Sequence, residues 1–235
     1  MSLTIFIPAF NEEQNLRFAV ENAIKAVNKS KIVNYEILIL NAFSTDKTGE
    51  IADKLVLEDS KIKVIHRKRW YGLGTNYMKG IEHSTMDYFV MFPGDNENSW
   101  VSLADSLKKI GQADMIIPYT VNVEARSMFR RIISKSYVLI MNFFFNLKLK
   151  YYNGNVVYNT SILKKISIKS EGFAYSSEII IKSIKSGYSY IEFGIKIHPT
   201  QKTAIFNFKN IISVIKSFII LFFEVNVTRK FELKK

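Results

Sequence analysis

The sequence predicts an α/β protein: a mostly parallel sheet flanked by helices, with amphipathic helices toward the C-terminus. Three observations lead there. Apolar runs of strand length alternate with segments whose apolar residues recur at helical spacing. Short loops follow the first three runs, so their C-terminal ends converge on one crevice, the layout of α/β nucleotide-binding sheets. Late in the chain, two nearly continuous apolar stretches rich in Phe and Ile depart from that alternation.

Leu3 to Ile7 reads as the first strand, stopped by Pro8. Glu12 to Asn28 carries Leu16, Ala19, Val20, Ala23, Ile24 and Val27 at helical spacing, with Asn11 placed to cap it. Tyr35 to Leu40 is a second strand, and Asp46 opens a helix through Leu57. Lys61 to His66 is a third strand, Gly74 to His83 a helix, and Tyr88 to Phe92 a fourth strand. A helix follows from Trp100 to about Gly111, then a strand from Asp114 to Pro118.

Beyond this point the character changes. Arg126, Arg130, Arg131 and Lys135 precede the apolar segment Tyr137 to Leu149, and Asn210 to Phe223 is similar. Both are too short to span a bilayer. With their basic flanks they read as interfacial helices lying among lipid headgroups. Packing on each other or on a second copy of the chain is the alternative, and the Phe-rich segment 143–145 suits either contact. The expected organisation is a domain over 1–205, with an interface helix inserted at 126–150, and a C-terminal amphipathic helix with a basic tail over 206–235.

Bulk composition narrows the chemistry. The 235 residues are 48% hydrophobic and 23% charged, which is globular rather than disordered. The absence of cysteine excludes disulfides, a thiolate nucleophile and a Cys-based zinc site. His66, His83 and His198 are widely separated and lack metal-ligand spacing. A net charge of +12 points to an anionic partner: nucleotide phosphates, nucleic acid or an anionic membrane face. Nucleic acid is disfavoured, because no strand interleaves aromatic and basic residues and no nucleic-acid motif is present. Met1 leads straight into strand-like sequence without a basic leader, so the expected location is cytoplasmic.

Four strand-end patterns carry the candidate chemistry. PAFNEE (Pro8 to Glu13) precedes a helix whose N-terminus attracts anions. NAFSTDKT (Asn41 to Thr48) offers Ser44, Thr45 and Asp46 as caps. RKRWYGLGTNYMKG (Arg67 to Gly80) joins a basic cluster to Gly72 and Gly74 but lacks the ending of a Walker A loop. PGDNEN (Pro93 to Asn98) sets Asp95 and Glu97 directly after a buried strand. Two carboxylates there, in so basic a chain, suggest a divalent metal holding a phosphorylated ligand. A solvated acidic turn is the plain alternative.

In this order and spacing the four patterns resemble family 2 glycosyltransferases of GT-A (Rossmann-like) fold, most closely the dolichyl- or polyprenyl-phosphate mannose or glucose synthase branch. The P-x-x-N-E turn of that family is matched by Pro8, Asn11 and Glu12, and its D-D-G-S-x-D-x-T-like loop by Asn41 to Thr48. Its glycine stretch is matched by Gly72, Gly74, Asn76 and Gly80, its D-x-D region by Asp87 to Asp95, and a later F-x-x-E stretch by Tyr175 to Glu178. The likeness covers roughly residues 3 to 220. Departures are specific. Pro93 stands at the first acid of D-x-D, Asn41 and Ala42 at the acidic pair, and a basic loop of the branch is reduced to His198, Gln201, Lys202 and Thr203.

The resemblance implies an inverting, metal-dependent hexosyltransferase. It would move a sugar from a nucleotide-sugar donor to a lipid-phosphate or other membrane-associated or saccharide acceptor, on the inner face of a membrane. Asp95, helped by Glu97, would hold Mg2+ or Mn2+. Pro8, Phe10 and Glu12 would meet the nucleotide sugar from the first loop, Asn41, Ser44 and Asp46 from the second, Gly74 from the third, and Gly94 with Asp95 from the fourth. Asp95 and Glu178 are the catalytic candidates, Glu178 as the base a hydroxyl acceptor needs. Arg126, Arg130, Arg131, His198 and Lys202 would meet the acceptor or its phosphate. A weakened GT-A-like binding or scaffold protein is the alternative that Pro93 and Asn41-Ala42 motivate.

Overall fold

Along the first strand, successive side chains point to opposite faces, and both faces are apolar. Leu3, Ile5 and Ile7 enter one buried layer and Phe6 the other. Burial on both sides requires helices on both sides, and the chain supplies them. The computed structural model describes residues 1–197 and 208–228.

Strands β1 (Ser2–Ala9), β2 (Asn34–Asn41), β3 (Ile62–His66) and β4 (Tyr88–Met91) alternate with helices α1 (Leu16–Ser30), α2 (Thr48–Glu58) and α3 (Leu73–His83). α4 (Trp100–Leu107), β5 (Met115–Thr120), α5 (Met128–Phe145), β6 (Val157–Asn159), α6 (Thr160–Lys165), α7 (Tyr175–Lys185), β7 (Tyr190–Ile195) and α8 (Phe208–Phe222) follow. The sheet order is β3-β2-β1-β4-β6-β5-β7. β6 runs antiparallel to β4 and β5, whereas the other pairs are parallel. The predicted α/β class with a mostly parallel sheet is therefore observed. Residues of α1, α2 and α4 fill one layer; residues of α3, α5, α6, α7 and α8 fill the other.

Several boundaries differ from expectation for identifiable reasons. Pro8 does not end β1: it stays in register with Leu40 of β2. On its other edge β4 has already ended, and the Pro8 carbonyl accepts the Gly94 amide at 3.0 Å. Asn11 does not cap α1. Its φ is +56°, and its Oδ1 accepts the Thr45 amide at 2.9 Å in the neighbouring loop. α5 begins earlier and stops earlier than its apolar run, because Asn146 takes a left-handed φ of +48°. Asn142 then bonds both the amide and the carbonyl of Leu149, folding the end of the run back onto the helix.

α5 and α8 pack through phenylalanine rings. Phe144 lies 5.3 Å from Phe218 and 5.6 Å from Phe222, edge to face. Their buried residues Met141, Phe145 and Leu221 belong to the same core layer as the sheet. Leu139 and Phe143 on α5, and Ile215, Ile219 and Phe223 in and just after α8, remain exposed. No described helix is long and apolar enough to cross a membrane.

Candidate functional site

The C-terminal ends of β1, β2 and β4 open on a cleft of about 530 Å³, lined by residues from all three strand ends and from later segments. Its acidic corner is the turn after β4. Gly94 docks on β1 so closely that a side-chain carbon there would stand 3.0 Å from Ala9 Cβ and 3.2 Å from the Pro8 carbonyl. The Glu97 amide donates to Asp95 Oδ1 at 3.1 Å, and Asn96 has φ of +55°. Asn96 Oδ1 accepts from Asn22 of α1 at 2.8 Å, and Asn98 Oδ1 from Asn155 at 3.2 Å. The turn is thus held from three sides, and Asp95 faces the cleft with Pro93.

The first two loops are tied to each other. The Asn11 amide donates to Ser44 Oγ at 3.0 Å, the Glu12 amide to Thr48 Oγ1 at 2.7 Å, and the Glu13 amide to Asp46 Oδ2 at 3.1 Å. Asp46 Oδ1 also accepts the Thr48 amide at 3.0 Å, at the first residue of α2. Burial pushes the Asp46 carboxyl up, but the bonds from Thr48 and Glu13 outweigh it and hold the group below its ordinary range. Asn41 is committed as well. Its Oδ1 accepts the Ser44 amide at 3.0 Å while its Nδ2 points at His66 Nδ1, 3.1 Å away. Because an amide nitrogen only donates, His66 Nδ1 accepts there and Nε2–H donates to Asp53 at 3.0 Å.

The third loop supplies aromatic and cationic groups. Trp70, Tyr71, Gly72 and Leu73 line the cleft. The Arg67 guanidinium stacks 3.8 Å from the Tyr71 ring centre, and Arg69 Nε donates to the Tyr71 hydroxyl at 2.7 Å. Both cations thus brace Tyr71, which lines the cleft, while neither guanidinium is itself among the cleft-lining residues. Side chains at Gly72 or Gly74 would run into the backbone of Ser170 and Glu171, and the Gly74 amide donates to the Glu171 carbonyl at 2.8 Å. That segment contributes Gly172 and Phe173 to the cleft, and α8 contributes Ser213. Asn76, 3% exposed, lines the cleft as well, with no protein donor on its Oδ1.

Of the residues expected from sequence, Pro8, Phe10, Glu12 and Asp95 line the cleft together. Gly74 and Gly94 shape it through close backbone approach. Asn41, Ser44 and Asp46 act one layer behind, in the bonds between loops. Glu97 braces Asp95 through its amide. Arg126, Arg130 and Arg131 are not among the cleft-lining residues; Arg126 lies over the Tyr151 ring, and the Arg130 amide takes the Ser127 cap of α5. His198 and Lys202 lie outside the described residues.

Glu178 requires correction as a general base. It is 2% exposed, its Oε1 accepts the Lys169 amide and the Lys182 ammonium at 2.9 and 2.5 Å, and its Oε2 accepts the Ser170 amide at 2.8 Å. Both oxygens are committed to building the segment that packs on Gly72 and Gly74. Trp70, Tyr71, Phe173 and Ser213 were not legible as site residues. Trp70 and Tyr71 carried a signal, an aromatic pair between a basic cluster and paired glycines; Ser213 carried none.

A divalent metal is compatible with the donor set. Asp95 and Glu97 offer hard oxygen ligands two residues apart, as Mg2+ and Mn2+ prefer. Among the described residues no three His, Cys, Asp or Glu side chains converge. A metal here would therefore be held by one or two carboxylates and completed by ligand oxygens, the usual habit of Mg2+ beside phosphates.

Comparison with known proteins bears on this geometry. The model of the family described as Glycosyl transferase family 2 matches residues 4–168. The dolichol-phosphate mannosyltransferase of Pyrococcus furiosus is 32% identical over 100 residues, 40% of this chain and 26% of that protein. The match thus spans about a quarter of that relative's length. The polyprenol monophosphomannose synthase of Mycolicibacterium smegmatis is 27% identical over 201 residues, 80% of this chain and 74% of that protein. Among solved structures, glucosyl-3-phosphoglycerate synthase from Mycobacterium tuberculosis with Mg2+ and uridine diphosphate superposes with a TM-score of 0.68 at 12% identity, covering 94% of this chain and 79% of that one. The same enzyme with Mn2+, uridine diphosphate and phosphoglyceric acid gives a TM-score of 0.67, again at 12% identity, covering 94% and 78%. At that identity the likeness establishes the fold.

Proposed function

The chain belongs to glycosyl transferase family 2, and from that premise we propose that it transfers a sugar, with inversion, from a nucleotide-sugar donor to a lipid-phosphate or other membrane-associated acceptor. The observation that carries the proposal is Asp95 at the wall of the strand-end cleft, on a turn braced from three sides. Cleaving a nucleotide sugar leaves a diphosphate, and positioned charge is the main means of stabilising it. Asp95 and Glu97 would hold a Mg2+ or Mn2+ ion, whose chemistry is to neutralise charge on the leaving diphosphate. Arg67 and Arg69 hold the Tyr71 ring at the cleft wall and would contribute positive potential from behind it. Phe10, Trp70 and Phe173 would cover the sugar and keep out the water that would otherwise hydrolyse it.

The bonding of Glu178 supports the phosphate acceptor over a hydroxyl one. With Glu178 committed to amides and an ammonium, it is not available as a base. A phosphate acceptor is ionised at neutral pH and needs none, whereas a hydroxyl would. The names of the Pyrococcus and Mycolicibacterium relatives agree with a polyprenol-type acceptor. So does the exposed apolar face of α5 and α8, where Leu139 is 71% and Phe143 77% exposed, on helices that also carry Arg130, Arg131, Lys135 and Lys216. Such a face with cationic flanks would seat the protein peripherally on an anionic leaflet, on the cytoplasmic side.

The test is to incubate the protein with Mn2+, a panel of nucleotide sugars and a short-chain polyprenyl phosphate, and to read the anomeric configuration of the product. An inverted glycosyl phosphate is expected. Transfer to a free saccharide and not to the phosphate would displace the acceptor assignment. Pro93, in place of an acid, favours a second reading as a binding subunit. Tight donor binding without turnover of any acceptor would select it.

A further inference from the structure

Behind the cleft, two acidic and two basic side chains from three segments meet. Glu178 and Lys182 lie one helical turn apart on α7, and each is 2% exposed. Lys182 Nζ is 2.5 Å from Glu178 Oε1, donates to the Ser167 carbonyl at 2.7 Å, and stands 2.9 Å from Glu224 Oε2 as an ion pair. Glu224 lies in the π-helical turn Phe223–Thr228 that continues α8, and its other oxygen meets the Lys169 ammonium. Burial pushes the Glu224 carboxyl up, yet Lys169 and Lys182 hold it below the usual carboxylate range.

A buried network of this kind is a poor device for stability alone. Desolvation cancels much of the attraction, and apolar side chains of similar volume often serve as well. Its geometry, however, joins two walls of the cleft. Through the Lys169 and Ser170 amides, Glu178 fixes the segment that presents the Glu171 carbonyl to Gly74 and places Gly172 and Phe173 at the cleft. Glu224 fixes α8, which places Ser213 at the same cleft. The two walls touch: a side-chain carbon on Gly172 would stand 2.9 Å from Ser213 Oγ.

We propose that Glu224, acting through Lys182 and Glu178, is a positioning residue for the cleft: it locks α8 against the 169–173 segment so that Ser213, Gly172 and Phe173 form one continuous wall. The proposal rests on the reading of the cleft as the nucleotide-sugar site. Because α8 also bears the exposed apolar face, the lock makes the shape of that wall depend on how α8 is seated.

Two variants of the full chain test it. Glu224→Gln keeps the size of the side chain and removes its charge; Lys169→Met removes only the exposed partner. Each is compared with the parent protein by amide hydrogen exchange and by titration with uridine and guanosine diphosphates plus Mn2+. The expected result is faster exchange in 169–175, with β1 and β2 unchanged, and an affinity lower by about tenfold in Glu224→Gln and by less in Lys169→Met. Unchanged exchange in 169–175 would overturn the proposal. So would local loosening with wild-type affinity, or loosening shared equally by β1 and β2, which is what a merely structural ion pair gives. If the parent protein binds neither uridine nor guanosine diphosphate while 169–175 still loosens in Glu224→Gln, the donor reading fails and the lock stands.

Discussion

The Gly94 amide donates to the Pro8 carbonyl at 3.0 Å, so the acidic turn hangs directly from the end of the central strand β1. This bond keeps the Pro8 carbonyl paired on the edge where β4 has already ended, and it sets the distance of Asp95 from the first loop.

Gly94→Val removes the room on which that bond depends. The added carbons would press on Ala9 Cβ and the Pro8 carbonyl. We expect a loss of about 1–3 kcal/mol in stability by denaturant unfolding, together with weaker metal-dependent nucleotide binding. A full-strength donor site in Gly94→Val would show that the turn is not positioned by this contact.

Asn76→Ala should behave unlike most large-to-small changes in a core. Asn76 is 3% exposed with an Oδ1 that no protein group satisfies, and a methyl there removes a buried unpaired acceptor. The expected change in unfolding free energy is within about 1 kcal/mol. A loss well beyond that would mean the amide is stabilised by something other than its 3.4 Å contact with the Tyr71 carbonyl.

Acid stability should depend on Glu36. Its carboxylate, 2% exposed, accepts from Thr4 Oγ1 at 2.7 Å, the Thr85 amide at 2.8 Å, Thr85 Oγ1 at 2.9 Å and Lys63 Nζ at 2.7 Å. Burial pushes this group up, but Lys63, Thr4 and Thr85 together hold it below the ordinary range. A depressed folded value stabilises the fold above the unfolded value, about pH 4.3 for glutamate. That stability fades as pH falls through the lower folded value. Glu36→Gln should flatten the fall of stability below pH 4.3; an unchanged slope would remove Glu36 as its source.

Vesicle binding should follow the exposed face of α5 and α8. Leu139→Ser with Phe143→Ser deletes two exposed apolar side chains without touching the buried Met141 and Phe145. At about 1.5–3 kcal/mol for each fully buried side chain, partitioning onto vesicles containing anionic lipid should fall at least about tenfold. The melting temperature should hold. Unaltered partitioning, or a change in oligomeric state in its place, would make this face a contact between copies.

The parts of the fold that were legible are those where periodicity and burial coincide. β1 to β4 are strand-length apolar runs ending in turn residues, and the helices between them bury regular stripes. The short β6 and the half-buried edge strand β7 have no such pattern, and their pairing is fixed by distant partners. The site divides in the same way. Asp95 could be read because turn chemistry places it at a strand end, and Pro8 and Glu12 because they match the P-x-x-N-E turn of the family. Asn11, expected as a cap, instead ties two loops, because a left-handed backbone turns its side chain across to Thr45. Ser213 comes from a helix far along the chain, and nothing local marks it. Glu178 was legible as a special position, but only its bonds show that it organises backbone.

The most direct measurement is calorimetric titration of uridine and guanosine diphosphates into the parent protein and Asp95→Ala, each with Mn2+ and with chelator. Asp95 lies at the cleft wall and outside the buried core, so the variant should fold. We expect binding of at least one nucleotide that requires Mn2+ and weakens by at least about tenfold in Asp95→Ala, the effect of losing a charge-assisted contact. Equal affinity in the two proteins, or binding indifferent to the metal, would contradict the assignment of this turn as the metal and diphosphate corner.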